Sequence, residues 1–157
     1  MSEIYRHTQV GVLMSIMLAF ACAGLLWAGI SEGWPAIIAG GLGGALAALA
    51  ACLVLFTTLT VRIGDGVLAV RFGPGFPRRT IRLADIASAR AVRNHWLSGY
   101  GIHRVGSGWL YNVSGRDAVE VELRGGRSIR IGTDEPEELL RALAQAGVSL
   151  PPAPGGR

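Results

Sequence analysis

Two long stretches without a charged side chain are the feature of this sequence that most restricts its fold. Residues 10–30 and 35–59 contain no Asp, Glu, Lys, Arg or His, and between Thr8 and Thr60 the one charged residue is Glu32. As a helix the first stretch would extend about 31 Å, close to the hydrocarbon thickness of a bilayer, and the second is long enough to cross with some tilt. We therefore predict a hairpin of two transmembrane helices.

The segment between the two stretches predicts the turn of this hairpin. It reads Ser31-Glu32-Gly33-Trp34-Pro35, which supplies a Gly, a Pro suited to begin a helix and an interfacial Trp. This turn contains an acid and no base, whereas Arg6 precedes the first span and Arg62 and Arg71 follow the second. By the positive-inside rule, both termini are expected in the cytoplasm and the turn outside.

The type and number of the basic residues indicate what kind of genome encodes the chain and what kind of surface it contacts. The chain has a net charge of +4. It contains 15 Arg residues and no Lys. With the abundant Ala and Gly, this bias is typical of a GC-rich bacterial genome. An anionic membrane surface is sufficient to explain the charge, so we expect a multi-pass protein of the bacterial inner membrane and no nucleic-acid partner.

A cleaved signal peptide is the alternative for the first span, because small residues precede Cys22 after a basic start. The apolar stretch continues beyond that point through Trp27, however, and cleavage would leave the second span alone. A hairpin accounts for more of the residues. In its second span, Gly40, Gly44 and Ala48 recur at every fourth residue, a spacing that permits close helix packing either against the first span or between copies of the chain.

From residue 60 the hydrophobic period changes to two. Val119, Val121 and Leu123 alternate with charged residues and lead through Gly125-Gly126 into another alternating segment, which predicts a hairpin. The regular spacing of such segments is typical of an antiparallel sandwich or barrel. The predicted strands lie at residues 59–63, 67–72, 80–83, 87–93, 101–105, 109–113, 119–123 and 128–131.

A single helix is expected to close this domain. Thr133 to Pro136 provide a cap, an acidic first turn and a Pro, and an apolar stripe of Leu139, Leu140 and Leu143 follows up to Gly147. The expected organisation is a short cytoplasmic N-terminus at residues 1–9, the transmembrane hairpin at 10–59, the β-rich cytoplasmic domain at 60–147 and a disordered tail at 148–157.

Four short runs carry a family resemblance. They are Gly99-Tyr100-Gly101-Ile102-His103, Gly108-Trp109-Leu110-Tyr111-Asn112-Val113, Ala118-Val119-Glu120-Val121 and Ile131-Gly132-Thr133-Asp134-Glu135-Pro136. With the preceding apolar spans, the chain resembles bacterial membrane-anchored pleckstrin-homology-like proteins. The resemblance implies a PH-like, bent antiparallel seven-stranded barrel capped by a C-terminal helix. It implies a fold more than an activity.

Two loops are candidate binding sites. The turn at residues 63–67 is short and acidic, so it lacks the basic residues of a phosphoinositide site. The next loop joins Phe76 to Arg78 and Arg79, which suits contact with anionic lipid, with a solvated loop as the alternative. The loop at residues 94–101 carries His95, Trp96 and Tyr100, a composition that suits either recognition of a partner or burial against the end of the barrel.

No catalytic, cofactor or metal site is predicted. The spacing of His95 and His103 matches no zinc motif, and no nucleophile elbow or phosphate-binding loop is present. The expected function is that of a non-catalytic membrane protein whose cytoplasmic domain binds a protein partner or its own copies. The alternatives are a peripheral sensor of anionic lipid and a non-catalytic subunit of an enzyme.

Overall fold

The computed structural model describes residues 3–39, 41–95, 101–106 and 108–151, which form an α+β fold. A π-helical segment, Gly29–Gly33, joins the first two helices, and a 3₁₀ turn, Leu83–Asp85, precedes the fifth strand. In chain order the elements are β1 (Glu3–Val10), α1 (Val12–Ala28), α2 (Trp34–Ala39), α3 (Leu42–Leu55), β2 (Thr58–Gly64), β3 (Val67–Phe72), β4 (Arg78–Arg82), β5 (Ile86–Arg93), β6 (Gly101–Val105), β7 (Gly108–Asn112), β8 (Asp117–Leu123), β9 (Ser128–Gly132) and α4 (Pro136–Gln145).

The apolar helix α1 agrees with the first predicted span. With the following turn it runs from Val12 to Ser31, 20 residues with a mean hydropathy of 2.1. None of the residues of α1 is buried. Within the described part of the chain, this is the one helix that is long and apolar enough to cross a membrane by itself.

The second predicted span is not one continuous helix. The structure divides it into α2, which ends at Ala39, and α3, which begins at Leu42. Between them Gly41 has a φ of 72°, a left-handed conformation that interrupts the helix. Because neither piece reaches the length of a span alone, helix length does not support the multi-pass prediction, although α3 packs along α1.

The strands form two sheets in place of the predicted seven-stranded antiparallel barrel. Sheet 1 has the order β1-β2-β3-β4 and sheet 2 the order β5-β8-β9-β7-β6. Sheet 2 is mixed, because β9 lies parallel to β7, with Trp109 opposite Ile129 and Tyr111 opposite Ile131. The eight predicted strands are all present as β2 to β9 with small shifts of their ends.

The ninth strand, β1, was not predicted. It pairs antiparallel with β2, from Tyr5 opposite Ile63 to Val10 opposite Thr58. The N–H of Gly11 also donates to the carbonyl of Thr57 at 2.6 Å. The first strand of the domain therefore precedes the helices and the second follows them, so sheet 1 joins the two ends of the helical segment.

The two sheets enclose one core. Phe72 of sheet 1 and Ile131 of sheet 2 are completely buried in it, as are Leu139 and Leu143 of α4. Leu140 of the predicted apolar stripe is partly buried. Because α4 packs on β1, β5 and β8, it covers the gap between the edge strands β1 and β5.

Candidate functional site

The end of the β domain that adjoins the helices, here called the helix-side end, is formed by several turns. A Cβ at Gly11 would lie 2.9 Å from the carbonyl oxygen of Val113, which places the β7–β8 turn beside the start of α1. A Cβ at Gly73 would lie 2.7 Å from the carbonyl oxygen of Leu55, and Gly73 has a φ of 43°. Glycine is therefore required at Gly73, where the β3–β4 turn packs against the end of α3.

The predicted loop residues Phe76, Arg78 and Arg79 are divided between two surfaces. Phe76 lies in the β3–β4 turn at the helix-side end and is 70% exposed. Arg78 begins β4 opposite Arg71 of β3, so two like charges are adjacent there. Arg79 is also exposed but lines a groove farther from the helices.

The second predicted loop connects β5 to β6. His95 is exposed, whereas Trp96 and Tyr100 lie outside the described residues. The N–H of Asn94 donates to the carbonyl of Arg116 at 2.7 Å, so the loop begins at the helix-side end. The structure therefore brings the start of this loop to the same end of the domain as Phe76.

The described residues of the predicted helix-packing repeat lie on an exposed face of α3. Gly40 lies outside the described residues, and both Gly44 and Ala48 are exposed on α3. A Cβ added at Gly44 would meet nothing within 4 Å. Packing of this repeat against the first helix is therefore not supported, and its use between copies of the chain stays a prediction.

A concave surface lies between β4 of sheet 1 and the strands β6 and β7 of sheet 2. Sheet 1 has four strands and sheet 2 has five, so sheet 1 leaves part of the inner face of sheet 2 uncovered beyond β4. Ile102, Trp109 and Tyr111 form an apolar floor there, and the cavity has a volume of about 460 Å³. Trp109 pairs with the core residue Ile129 and shares its face, yet 47% of Trp109 is exposed.

Three arginines surround this floor, and we call the whole surface the arginine groove. Arg79 extends from β4, Arg104 from β6 and Arg127 from the β8–β9 turn. Arg104 lies opposite Trp109 in the β6–β7 pair, so both side chains are on the inner face. No carboxylate is among the described residues that line the groove, and none of the three arginines has an ion pair with a described residue.

Several other arginines of the domain form ion pairs within the chain. The Nε and Nη2 atoms of Arg82 donate to Asp85 at 2.9 and 3.0 Å, so the carboxylate of Asp85, which lies near Arg79 and Arg127, is already paired. On sheet 2, Glu120 accepts hydrogen bonds from Arg90 and Arg130, each at 2.9 Å from the arginine Nε. Burial raises the pKa of Glu120, but the hydrogen bonds and charges of the two arginines outweigh it and lower this pKa overall.

A polar cluster fastens α4 over the covered gap. The Nε2 atom of His7 in β1 lies 2.7 Å from the carboxylate of Asp134, and its Nδ1 atom lies 3.2 Å from Glu135. Burial, followed by the charge of Glu135, raises the pKa of the neighbouring Tyr5 to about 12, so this phenol stays protonated. The chain thus ties β1 to the segment that begins α4.

The described residues include no group of three or more His, Cys, Asp or Glu side chains arranged to hold a metal ion. Cys22 and Cys52 are free thiols on α1 and α3. The arginine groove combines an apolar floor and cationic side chains with the outer edge of β4, which has no strand beside it among the described residues.

Sequence reasoning did not identify Arg104, Trp109 or Arg127 as site residues. The alternation within β6 and β7 indicates that Ile102 and Arg104 share a face, as do Trp109 and Tyr111. Whether that face is inward depends on the parallel pairing of β7 with β9, for which the sequence carries no local signal.

Comparison with known proteins does not assign the chain to a family. No protein-family model matches the sequence, and no curated protein matches it.

Proposed function

We propose that the chain is a non-catalytic integral membrane protein whose PH-like cytoplasmic domain is a binding module for a protein partner. In this proposal residues 10–59 cross the bacterial inner membrane twice and both termini are cytoplasmic. The observation that carries it is the pairing of β1 with β2, since these strands are continuous with α1 and α3. This arrangement holds the domain directly at the bilayer surface.

Exposed apolar side chains support the membrane location. Phe20, Trp27 and Ile30 have exposed fractions of 75%, 74% and 79%. Such a surface is unfavourable in water and favourable in lipid. The positions of Arg6 and Arg62, together with the acidic turn between the helices, favour the cytoplasmic side for the domain.

A second candidate function is contact with anionic lipid. Phe76 is exposed beside the end of α3, and the adjacent Arg71 and Arg78 repel one another without an ion pair to any described residue. An anionic headgroup would relieve this repulsion, at about 1 kcal/mol for each basic residue near the surface. Lipid contact at the helix-side end is compatible with partner binding elsewhere.

Topology reporters test the location. A reporter that is active only in the cytoplasm should be active when fused after Leu150 and silent when inserted at Gly33, and the protein should stay in the membrane after alkaline carbonate extraction. The opposite reporter pattern, or release by carbonate, would refute the proposed anchoring.

Photocrosslinking tests the two binding roles in native membranes. A photoreactive residue in place of Trp109 should yield protein adducts, and one in place of Phe76 should yield lipid adducts. If neither position gives a protein adduct, the binding-module proposal is refuted.

Self-association is tested by Gly44→Ile, which should leave insertion unchanged but remove any oligomer held by the α3 repeat.

A further inference from the structure

The arginine groove lies where sheet 1 has one strand fewer than sheet 2. Sheet 1 ends at β4, whose outer edge has no strand beside it among the described residues, while sheet 2 continues past it through β7 and β6. Arg78 and Thr80 of β4 are exposed, as expected for an edge. A fifth strand added beside β4 would cover Ile102, Trp109 and Tyr111 and give the two sheets equal width.

We propose that an extended acidic segment of a protein partner binds the groove as this strand, pairing with the edge of β4. Its backbone would satisfy the free groups of β4, its apolar side chains would cover the groove floor, and its carboxylates would contact Arg79, Arg104 and Arg127. This inference rests on the binding role proposed above, and it names the surface and the chemistry of the partner.

The position of the groove favours a protein over the bilayer. Gly11, at the start of α1, contacts Val113, and Trp109 is four residues away along the chain, about 13 Å at the rise of a strand. The headgroup layer of one leaflet is only about 5–8 Å thick. Arg104 is opposite Trp109, and Arg127 is two residues farther than Ile129 from the helix-side end. In the proposed anchoring, with β7 and β9 extending away from the bilayer, both arginines would lie past the lipid headgroups.

Charge and size exclude two simpler occupants. A second copy of the chain pairing symmetrically through β4, which contains Arg78, Arg79 and Arg82, would bring arginines of the two strands close to one another. A free phosphate would fill a small part of the volume of about 460 Å³ and would leave the apolar floor exposed. An extended acidic segment satisfies the charge, the floor and the strand edge together.

The test uses the full chain in nanodiscs of uncharged lipid and a fluorescent peptide in which Glu alternates with Val. This probe should bind, its affinity should fall as salt rises, and a version with Lys in place of Glu should not bind. R104E and R127E should each weaken binding by roughly tenfold or more, since each reverses a charge in direct contact with the probe. N-methylation of alternate peptide amides should abolish binding, because it removes the hydrogen bonds to β4.

Arg116→Glu is the matched control, because Arg116 is exposed in the β7–β8 turn and the same charge is reversed outside the groove. It should leave binding within about twofold of the unmodified chain. R104Q and R127Q, checked by near-ultraviolet circular dichroism, separate loss of the site from loss of the fold and should also weaken binding.

Several results would overturn the inference. They are no binding of the acidic probe, equal loss in R116E, binding that survives N-methylation, or an oligomer that forms through the groove without the probe. Binding of pyrophosphate or of anionic vesicles through Arg104 and Arg127, in preference to the probe, would also overturn it. If protein adducts still form at Trp109, the binding module stands and the acidic-strand inference alone fails.

Discussion

The two gaps between the sheets differ in whether the described part of the chain covers them. At the gap between β1 and β5 the chain supplies its own cover, α4, whose Leu139 and Leu143 are completely buried. At the side beyond β4 there is no cover from the described residues, and Trp109 is 47% exposed on an inner face. The covered gap is thus part of the folded core, whereas the floor of the arginine groove stays partly exposed in the described part of the chain.

The two gaps also differ in their acidic groups. The covered gap is fastened by the carboxylates of Asp134 and Glu135 on His7. The groove has three arginines and no carboxylate among its described lining residues. In the proposal above, an acidic and partly apolar segment of a partner would close the groove, as α4 closes the covered gap from within the chain. Each of the following tests needs the full chain, because a domain beginning at residue 60 would lack β1.

The largest expected effect is the loss of core packing under α4. Leu143→Ala should lower the free energy of unfolding by about 2–5 kcal/mol, because Leu143 is completely buried and the change leaves a cavity. Denaturant unfolding of the β domain in nanodiscs measures it. Leu140→Ala is the control and should cost less, since Leu140 is only partly buried. An equal cost for both would mean that α4 does not cover the gap as described.

The neutralised arginines of sheet 2 should matter more for stability than those of the groove. Glu120→Gln should cost about 2 kcal/mol at neutral pH, because it weakens charged hydrogen bonds to Arg90 and Arg130. The folded state lowers the pKa of Glu120 below its ordinary value of 4.5. Its contribution is therefore present above that value and is lost as pH falls through the lower, folded pKa.

Acid unfolding measured on both proteins checks this sign. The unmodified chain should lose stability below about pH 4.5 more steeply than the Glu120→Gln variant, in which this linked proton uptake is absent. Parallel curves for the two proteins would contradict the role given to the Glu120 hydrogen bonds.

The polar cluster on α4 should have a smaller effect. His7→Ala should cost about 0.5–1 kcal/mol, since the side chains of Asp134 and Glu135 are 56% and 45% exposed and water screens such pairs. Hydrogen exchange of α4 amides should increase, because β1 no longer holds the segment that begins the helix. Unchanged exchange would show that apolar packing alone retains α4.

The smallest effect on stability is expected in the groove. Arg104→Gln should change the free energy of unfolding by no more than about 0.5 kcal/mol, because this arginine has no ion pair with a described residue to lose. Denaturant unfolding of the full chain measures it beside Leu143→Ala. A large loss would mean that Arg104 supports the fold, and the contrast between the two gaps would then disappear.

Much of the β domain could be predicted because its signals are local. The alternation in β3 and β8, the Asp65-Gly66 turn with both φ values positive, and the apolar stripe of α4 each depend on neighbouring residues. The strand β1 was missed because the residues on its less exposed face, Tyr5, His7 and Gln9, carry polar groups and give no hydrophobic alternation.

The unpredicted features depend on pairings between distant residues. The break in the second span arises at Gly41, where a left-handed φ replaces the helical conformation that the apolar composition favoured. The groove arises because β9 enters sheet 2 between β8 and β7 and extends that sheet past β4. Neither the number of strands in a sheet nor a parallel pairing can be read from the local alternation of the strands. The sequence therefore predicted the candidate loops but not the groove.

The pairing of β1 with β2 also sets the order in which the protein can fold. During synthesis β1 leaves the ribosome before its partner β2, which begins only at Thr58, after the helices α1 to α3 have been made. Closing so long a loop in an otherwise unstructured chain carries an entropic cost. Packing of α3 along α1 brings Gly11 and Thr57 together beforehand, so the helices act as a template that reduces this cost. The pairing of β1 with β2 is therefore expected to form only after the helical segment has folded, whereas β2, β3 and β4 can pair through their short turns.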